Sequence, residues 1–316
     1  MSEPSPEGRI WELMRGALAT RALAILADLR VAHALAGGPR PVEELAHEVG
    51  ADPGTLHRLL RALASDGVFA EDEPCVFRNT EASEVLRQSG WDDFAHLFGG
   101  AWMQAIGELG AKGEPTFPRV FDTDFWSWLA QNPDERAAFD RAMEQGKERR
   151  IERLAGLEWR GDETVVDVGG GNGANLLALL ARRPGLTGIV FDLPETVRDE
   201  AAFPDRLTFV AGDFFERVPR GDVYVLSTIL HDWDDERAAA SLRTIRAAAP
   251  SAARVILLES VIQPGNEPDG SKWLDLLMLA LFGGRERDEA QWRELVEGSG
   301  FEIERLQDGL IEAVCP

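Results

Sequence analysis

The second half of the chain alternates short apolar segments with segments of helical pattern, and this alternation restricts the fold more than any other feature. Five apolar segments have the length of buried strands, and helical segments such as 174–183 and 235–249 separate them. The strand candidates are residues 164–168, 188–192, 207–211, 223–227 and 255–259. Strands alternating with helices predict an α/β domain with a parallel sheet covered on both faces. Residues 300–303 and 310–314 predict an antiparallel edge pair, which makes seven strands.

The first half of the chain has a different pattern. Residues 10–36 read as an apolar helix whose hydrophobic positions occupy several faces, which favours burial in a subunit interface. Residues 41–50 and 53–63 predict two short helices, the second capped by Asp52, and a small hairpin is expected after Gly67. Helix, turn, helix and hairpin together are the pattern of a winged helix.

The charge of the chain argues against nucleic acid as a partner of this winged helix. Residues 40–90 contain five arginines, no lysine and ten acidic residues, a net charge of −5, and the whole chain carries −22. A DNA-binding surface needs the opposite sign, and an acidic surface also repels anionic lipid. We therefore expect a structural or dimer-forming module, with no nucleic-acid partner and no membrane association.

The sequence also predicts a cytoplasmic protein. Residues 1–9 are polar and lack the apolar region of a secretory signal, and no apolar run has the length that a bilayer requires. Cys75 and Cys315 have no CxxC spacing and no histidine-rich surroundings in the sequence. Two such cysteines are most simply free thiols in a reducing compartment.

Residues 91–153 read as mostly helical and contain many bulky aromatic side chains. Core packing accounts for most of them, but a few can form the wall of a pocket for a flat ligand. We therefore expect three regions: a winged-helix domain at 1–90, connecting helices at 91–153 that contribute to a substrate pocket, and a ligand-binding α/β domain at 154–316.

The most specific motif is a glycine-rich turn, Val-Val-Asp-Val-Gly-Gly-Gly-Asn-Gly-Ala, between the first predicted strand and its helix. Glycines let the backbone turn tightly and approach a ligand. Gly169, Gly171 and Ala174 also fit the dinucleotide pattern, so the glycines alone do not decide the cofactor. Asp167 favours a different ligand, because a carboxylate there attracts an ammonium or sulfonium group and repels a pyrophosphate.

Two more acidic residues follow the next two strands. Asp192, followed by Leu193, suits the paired hydroxyls of a ribose. Asp213 can accept a hydrogen bond from an adenine amino group, and Phe214 can cover the adenine ring. A single loop aspartate is usually a cap or a turn former. Three acids at the ends of consecutive strands together favour a site for a cationic adenosine compound.

His231 follows the fourth strand, at the sheet edge where α/β proteins bind their ligands. A phenol has a pKa of about 10, and an imidazole with a pKa near 6.5 can take its proton. His231 can alternatively be a capping or core histidine. With Asp232, Asp234 and Asp235 it can also be interpreted as a metal site, although an N-cap at Asp234 explains part of the motif.

These motifs resemble the class I small-molecule O-methyltransferases, which include plant caffeate and flavonoid enzymes and bacterial enzymes that methylate polyketide or phenazine hydroxyls. The matching stretches are residues 167–173, 192–194, 212–214, 230–236 and 283–287. The resemblance implies a Rossmann-like methyltransferase domain, a winged-helix dimerisation domain and a homodimer. It implies S-adenosylmethionine as cofactor, S-adenosylhomocysteine as product, no metal, and methyl transfer to a hydroxyl of a small aromatic acceptor, polyketide-type acceptors included.

The same resemblance implies roles for several side chains. His231 becomes the general base, and Glu259 and Glu286 become the acids that orient and polarise it. Met143 matches a methionine of the family's acceptor pocket. Trp102, Met278 and Phe282 are further candidates for this pocket, with core packing as the equal alternative.

The chain departs from the family pattern at two positions. Ser227, which we include among the expected cofactor contacts, stands where plant members often carry a lysine. Lys147 stands where many members carry a serine, and it can pair with the cofactor's carboxylate. Two other functions stay open at this point: a relative that binds S-adenosylmethionine but decarboxylates, hydroxylates or cyclises its substrate, and a nucleotide-sensing regulator, which the acidic charge opposes.

Overall fold

The computed structural model describes residues 5–194, 196 and 205–316, and the chain forms two compact units. The first unit comprises the chain up to Glu108 together with Trp126–Gln145, and the second comprises Leu109–Phe125 together with Gly146–Pro316. The domain boundaries that the sequence suggests at residues 90 and 153 stay predictions. In the described part of the chain, none of the helices combines the length and the apolar character that crossing a membrane requires.

The chain before the large sheet is mainly helical, and within it α8 and α11 belong to the second unit. Its elements in chain order are α1 (Pro6–Asp28), α2 (Val31–Ala34), β1 (Arg40–Pro41), α3 (Val42–Val49), α4 (Pro53–Ser65), β2 (Phe69–Glu73), β3 (Val76–Asn79), α5 (Glu81–Val85), α6 (Trp91–Gly99), α7 (Ala101–Gly107), α8 (Phe117–Phe121), α9 (Phe125–Gln131), α10 (Pro133–Met143) and α11 (Lys147–Ala155).

Helices α3 and α4 and the β2–β3 hairpin follow one another in the winged-helix order that the sequence predicts. The cap predicted at Asp52 is confirmed, because its carboxylate accepts a hydrogen bond from the backbone N of Thr55 at 2.8 Å. Strand β3 pairs antiparallel with β2 on one side and with β1 on the other. Helix α4 buries Leu56, Leu60 and Leu63, which are spaced as one face of a helix.

The prediction of one continuous helix over residues 10–36 is wrong. Helix α1 ends at Asp28, and Arg30 has a φ of +55°, in the left-handed region, before the short helix α2 begins. A residue in that conformation cannot continue a right-handed helix. The apolar pattern continues through the break because α2 buries Val31 and Ala32 in the same core as the end of α1.

The second unit contains the large sheet. Its further elements are β4 (Thr164–Val168), α12 (Ala174–Arg182), β5 (Thr187–Asp192), β6 (Leu207–Ala211), β7 (Val223–Ser227), a 3₁₀ turn (Leu230–Asp232), α13 (Asp235–Ala248), β8 (Arg254–Leu258), β9 (Val261–Ile262), α14 (Ser271–Phe282), β10 (Arg287–Asp288), α15 (Glu289–Gly298), β11 (Glu302–Gln307) and β12 (Leu310–Val314).

The strand order of the sheet is β11–β12–β8–β7–β4–β5–β6. The five strands from β8 to β6 are parallel, whereas β12 joins β8 antiparallel and β11 pairs antiparallel with β12. The predicted seven-stranded, mostly parallel sheet with an antiparallel edge pair is therefore confirmed. Val166 and Tyr224 lie in the core on one face, and Val165 and Val223 lie in the core on the other. Burial on both faces explains why β4 and β7 are mostly apolar.

Candidate active site

The loop after β4 is compact and comes close to its neighbours. Gly169, Gly171 and Gly173 have φ values of +71°, +59° and +75°, a region that side chains of L-residues rarely adopt. A Cβ on Gly169 would lie 2.5 Å from the Cδ1 of Ile229, and one on Gly170 would lie 2.8 Å from the Cγ of Asp167. Conformation therefore favours glycine at 169, 171 and 173, and space is restricted at 169 and 170.

Asp167 is a buried carboxylate beneath this loop. It is 2% exposed, and its Oδ2 has no hydrogen-bond partner among the described residues. Burial, reinforced by the charge of Asp192, raises its pKa to about 7, although Arg150 acts in the opposite direction. An unsatisfied buried oxygen is costly unless a ligand pairs with it, and a cationic end of S-adenosylmethionine fits this position.

Asp192 ties the end of β5 to the glycine loop. Its Oδ2 accepts a hydrogen bond from the backbone N of Gly171 at 2.8 Å, and its Oδ1 accepts one from the backbone N of Leu193 at 2.7 Å. A carboxylate oxygen can accept more than one hydrogen bond, and ribose hydroxyls are the ligands that the sequence predicts for this acid. The sequence predicts the acid at this position but not its bond to the loop.

The next two strand ends carry Asp213, Phe214 and Ser227. Asp213 accepts a hydrogen bond from the backbone N of Phe215 at 2.8 Å and thus forms the turn after β6. The ring of half-buried Phe214 lies 6.2 Å from that of Trp233. The Oγ of Ser227, at the end of β7, is buried and has no partner within the described part of the chain.

His231 lies in the 3₁₀ turn after β7 and is 8% exposed. Its Nδ1 is 2.7 Å from Oε1 of Glu286 and 3.9 Å from Oε2 of Glu259. Its Nε2 is 3.4 Å from Oδ1 of Asp232. The structure thus brings together the histidine and the two glutamates that the sequence singles out, and it adds a third carboxylate at the other ring nitrogen.

The three carboxylates control the protonation of this histidine. Burial lowers the pKa of His231, but the negative charges of Glu259, Glu286 and Asp232 raise it more, so the net pKa lies well above the ordinary value. Burial also raises the pKa of Asp232 and of Glu259. The cluster therefore favours a proton on the ring and stabilises the imidazolium form.

Several backbone contacts fix the His231 turn. Oε1 of Glu259 accepts from the backbone N of Ile229 at 3.0 Å and of Leu230 at 2.8 Å. The fully buried Arg287 donates to the carbonyl oxygens of Leu230 at 3.0 Å and Trp233 at 2.9 Å. Sequence reasoning missed this role of Arg287, although the residue belongs to the quoted stretch 283–287.

The aspartates after His231 have structural partners. Asp234 accepts from the backbone N of Arg237 at 2.8 Å, so the predicted N-cap of α13 is confirmed. Asp235 pairs with Arg285 and Arg287, both at 2.8 Å. Capping and ion pairing thus account for two of the acids that could have been read as metal ligands.

The expected pocket residues are divided between the two units. Trp102 is 3% exposed in the first unit and lies against Phe98 with ring centroids 5.0 Å apart, and Met143 ends α10 in the same unit. Met278 and Phe282 lie on α14 in the second unit. A common acceptor pocket formed by these four residues stays a prediction.

A Rossmann-like sheet whose strand ends carry a glycine turn, acidic side chains and a buried histidine defines a nucleotide-binding α/β protein. Comparison with known proteins gives the family. An O-methyltransferase domain matches residues 103–302, and an O-methyltransferase dimerisation domain matches residues 11–89. The chain belongs to this family and is an S-adenosylmethionine-dependent O-methyltransferase.

Several relatives are similar over most of their length. The phenazine O-methyltransferase PhzM of Lysobacter antibioticus is 36% identical over 93% of this chain and 91% of its own. The O-demethylpuromycin-O-methyltransferase of Streptomyces alboniger is 38% identical over 95% and 85%. The crystal structure of NcsB1, an O-methyltransferase from neocarzinostatin biosynthesis in complex with S-adenosyl-L-homocysteine and 1,4-dihydroxy-2-naphthoic acid, has a TM-score of 0.83 at 33% identity over 94% and 96%.

Proposed function

We propose that this chain methylates a hydroxyl group on a small aromatic acceptor, with polyketide-type rings as the first candidates. Two relatives are named for a phenazine and for O-demethylpuromycin, and the NcsB1 structure contains a dihydroxynaphthoic acid. All three are named as methyltransferases, so no observation favours decarboxylation, hydroxylation or cyclisation. The acidic charge of residues 40–90 opposes a DNA-binding regulator.

The strand ends of the second unit supply the proposed cofactor contacts. S-adenosylmethionine, when bound, supplies a methyl group on a sulfonium, which is open to attack by a nucleophilic oxygen. The backbone of Gly169 and Gly171 and the carboxylate of Asp167 hold the charged end. The remaining cofactor contacts come from residues at the strand ends. We assign Asp192 to the ribose, Asp213 and Phe214 to the adenine, and Leu193 and Ser227 to further contacts with the cofactor.

Arg150 is a further proposed contact that the sequence did not suggest. It lies in α11, and its charge acts on that of Asp167. A cation and a carboxylate near each other match the two opposite charges of an amino-acid group. Arg150 is therefore assigned to the cofactor's carboxylate. Lys147, in the first turn of the same helix, is the second cation that can pair with this carboxylate.

His231 is the proposed general base, and the hydrogen bond from its Nδ1 to Glu286 at 2.7 Å is the observation that carries this role. The bond fixes the ring and the tautomer. Nε2 then accepts the proton of the acceptor hydroxyl. Because the carboxylates raise the pKa of His231 towards that of a phenol, proton transfer costs less free energy. The same shift means that less of the enzyme has a neutral ring at neutral pH.

The raised pKa of His231 predicts a pH dependence that can be tested. We would measure, as a function of pH, the transfer of labelled methyl to 1,4-dihydroxy-2-naphthoic acid and to a panel of hydroxylated naphthoates and phenazines. Because the base must be neutral, kcat is expected to rise with pH above the ordinary histidine pKa of about 6.5. His231→Ala should remove this rise and lower kcat by roughly 10²–10⁴. Glu286→Gln should move the rise to lower pH, because it removes one of the charges that raise the pKa.

Two measurements keep the outcome decisive. Affinity for S-adenosylhomocysteine should stay near that of the wild type in both variants, and Glu289→Gln, at an exposed position of α15, serves as the matched control. A His231→Ala enzyme with a near-normal rate and an unchanged pH profile would remove His231 from the mechanism. Cofactor binding without methyl transfer to any phenol in the panel would contradict the proposed acceptor class.

A further inference from the structure

Three side chains with metal-binding atoms meet in the first unit, and none of them has a part in the proposed reaction. They are His57 on α4, Glu71 on β2 and Cys75 in the turn between β2 and β3. One ligand atom from each lies within 4.8 Å of the other two. We propose that these residues bind a divalent transition-metal ion, Zn²⁺ above all, and that the ion clamps α4 to the hairpin.

The separations within this cluster leave room for a shared ion, since one contact is too long for a hydrogen bond and the other is at the limit for a weak one to sulfur. Nε2 of His57 is 3.7 Å from Oε1 of Glu71, which is too long for a hydrogen bond. Sγ of Cys75 is 4.0 Å from the same Nε2. Around a tetrahedral zinc, with bonds of about 2.0–2.3 Å, ligand atoms lie roughly 3.4–3.6 Å apart. The two separations at His57 exceed these values by a few tenths of an ångström, and all three ligand atoms lie within 4.8 Å of one another. Side-chain movements of up to about 1 Å would therefore bring the three atoms to the separations of a zinc site.

The cluster is already held in place by the fold. The backbone N of Cys75 donates to Oε1 of Glu71 at 2.8 Å, which fixes the carboxylate over the turn. The ring of His57 packs beside Phe77 with centroids 5.8 Å apart, and Phe77 is fully buried. A prearranged set of ligands loses less conformational entropy when the ion binds.

The chemistry and charge of the donors select the ion. Thiolate and imidazole favour zinc over magnesium or calcium, and a carboxylate is an accepted third ligand. One thiolate and one carboxylate neutralise the two charges of the ion. The surroundings are acidic: Glu73 is exposed beside Glu71, and Asp72 is neutralised by Arg78 at 2.7 Å. Arg58, next to His57 in the sequence, is the basic residue of α4 nearest to it along the chain.

The side chains of His57 and Glu71 are about a quarter exposed, at 27% and 28%, so an ion has access. With three protein ligands, water fills the fourth position. The bound ion would connect α4 to the hairpin across residues 57, 71 and 75. Because an ion that binds the folded state more tightly stabilises it, zinc should raise the unfolding temperature. This effect is independent of the proposed methyl transfer.

The test uses the full-length chain without an affinity tag, stripped with a chelator and kept reduced. Zn²⁺ is titrated in competition with a chromophoric chelator, and Co²⁺ is added in parallel as a spectroscopic probe. We expect one ion per chain, a rise of a few degrees in the unfolding temperature, and a thiolate-to-cobalt charge-transfer band with visible bands of tetrahedral intensity.

The variants are chosen in matched pairs. Cys75→Ser should abolish the charge-transfer band and weaken zinc binding by more than the roughly 10–100-fold that loss of an outer partner costs. His57→Asn and Glu71→Gln should weaken binding similarly. His47→Ala, an exposed histidine on α3, and Glu73→Gln, an exposed acid at the end of β2, should leave binding unchanged.

The metal-binding result can be interpreted even if one substitution disturbs the folding of the first unit. Each variant's circular dichroism and unfolding temperature are measured without metal, and those that match the wild type carry the conclusion. A charge-transfer band that persists in Cys75→Ser would overturn the proposal, since Cys315 would then be the ligand. Binding only at millimolar zinc, or equal loss in the His47→Ala and His57→Asn variants, would overturn it as well.

Discussion

At the scale of single residues, the second unit places ionisable groups where burial makes their charge costly. Asp167 shows this most directly, because burial and the neighbouring Asp192 raise its pKa to about 7. The ordinary pKa of an aspartate is 3.8. Between about pH 4 and pH 7, the carboxyl group of Asp167 is therefore protonated in the folded, ligand-free chain and ionised in the unfolded chain. A cationic ligand reverses this preference, because it stabilises the ionised carboxylate.

Cofactor affinity should therefore depend on pH. Since binding favours ionised Asp167, affinity for S-adenosylhomocysteine is expected to rise about fivefold between about pH 6 and pH 7, and more steeply below. The ligand's own amino group stays protonated in this range. Calorimetry in buffers of different ionisation enthalpy measures both the affinity and the released proton. An affinity that is flat over this range would contradict the assignment of Asp167.

Asp167→Asn provides the control for this dependence. An amide cannot ionise, so the variant should bind more weakly and without the pH dependence. The same change should raise the unfolding temperature of the ligand-free protein above pH 7. The sign follows from the raised pKa: the carboxyl group destabilises the fold as pH increases from about 4 to 7, and this destabilisation persists above 7.

At the scale of elements, the loop after α14 supports the His231 turn through backbone contact. The backbone N of Arg285 donates to the carbonyl oxygen of His231 at 2.8 Å. A Cβ on Gly284 would lie 2.2 Å from that oxygen and 2.4 Å from the carbonyl carbon of Asp232. Both are backbone atoms and cannot rotate away, so a side chain here would displace the turn.

Gly284→Ala is expected to lower both stability and methyl transfer. Overpacking of this kind costs typically about 1–3 kcal/mol, and kcat should fall more than cofactor affinity does, because the displaced group is His231. Denaturant unfolding and steady-state kinetics measure the two effects. Gly298→Ala is the matched control, because a Cβ there would meet no heavy atom within 4 Å in the described part of the chain. Equal behaviour of the two variants would contradict the proposed support.

The sheet could be predicted from the sequence because its central strands are buried on both faces. Residues 164–168 and 223–227 are mostly apolar, and the structure has the buried strands β4 and β7 at those positions. Residues 207–211 form the edge strand β6, in which Thr208 is exposed. The break between α1 and α2 could not be predicted. Arginine carries no sequence signal for the left-handed conformation that Arg30 adopts, whereas glycine or asparagine would have.

The candidate site could be predicted as far as it follows strand ends. Asp167, Asp192 and His231 each follow or end a strand, so their common edge follows from topology. The pairing of His231 with Glu286 spans 55 residues and came from the family resemblance. The contact between His57 and Cys75 could not be predicted, because the two residues are 18 apart in sequence and meet only when the hairpin packs on α4.

At the scale of the whole molecule, the first half of α1 presents an apolar surface that would be exposed to solvent in a monomer. Five large apolar side chains are more than half exposed there: Ile10, Trp11, Leu13, Met14 and Leu18. The second half of the same helix buries Ala22 and Leu26 in the core of the first unit. The family's dimerisation domain matches residues 11–89, which include most of this helix.

We propose that this exposed segment is the homodimer interface, with a second copy of the chain as its partner. A contiguous apolar patch of this kind usually marks an association site, and C2 pairing is the commonest arrangement. Deleting residues 1–36 would be a poor test, because it also removes Leu26 and Val31 from the core of the first unit. Aggregation of such a fragment would not distinguish a lost interface from a damaged fold.

Charged substitutions at exposed positions give the decisive test. Leu18, 74% exposed, and Met14, 62% exposed, can each be changed to Glu without placing a charge in the core of the unit. In a dimer interface the two copies would bury these charges, whose desolvation is costly. Sedimentation velocity should therefore show a dimer for the wild type and a monomer for Met14→Glu/Leu18→Glu with an unchanged circular dichroism spectrum. Glu43→Gln, on the exposed face of α3, should stay dimeric. A wild-type monomer, or a charged variant that stays dimeric, would place the interface elsewhere.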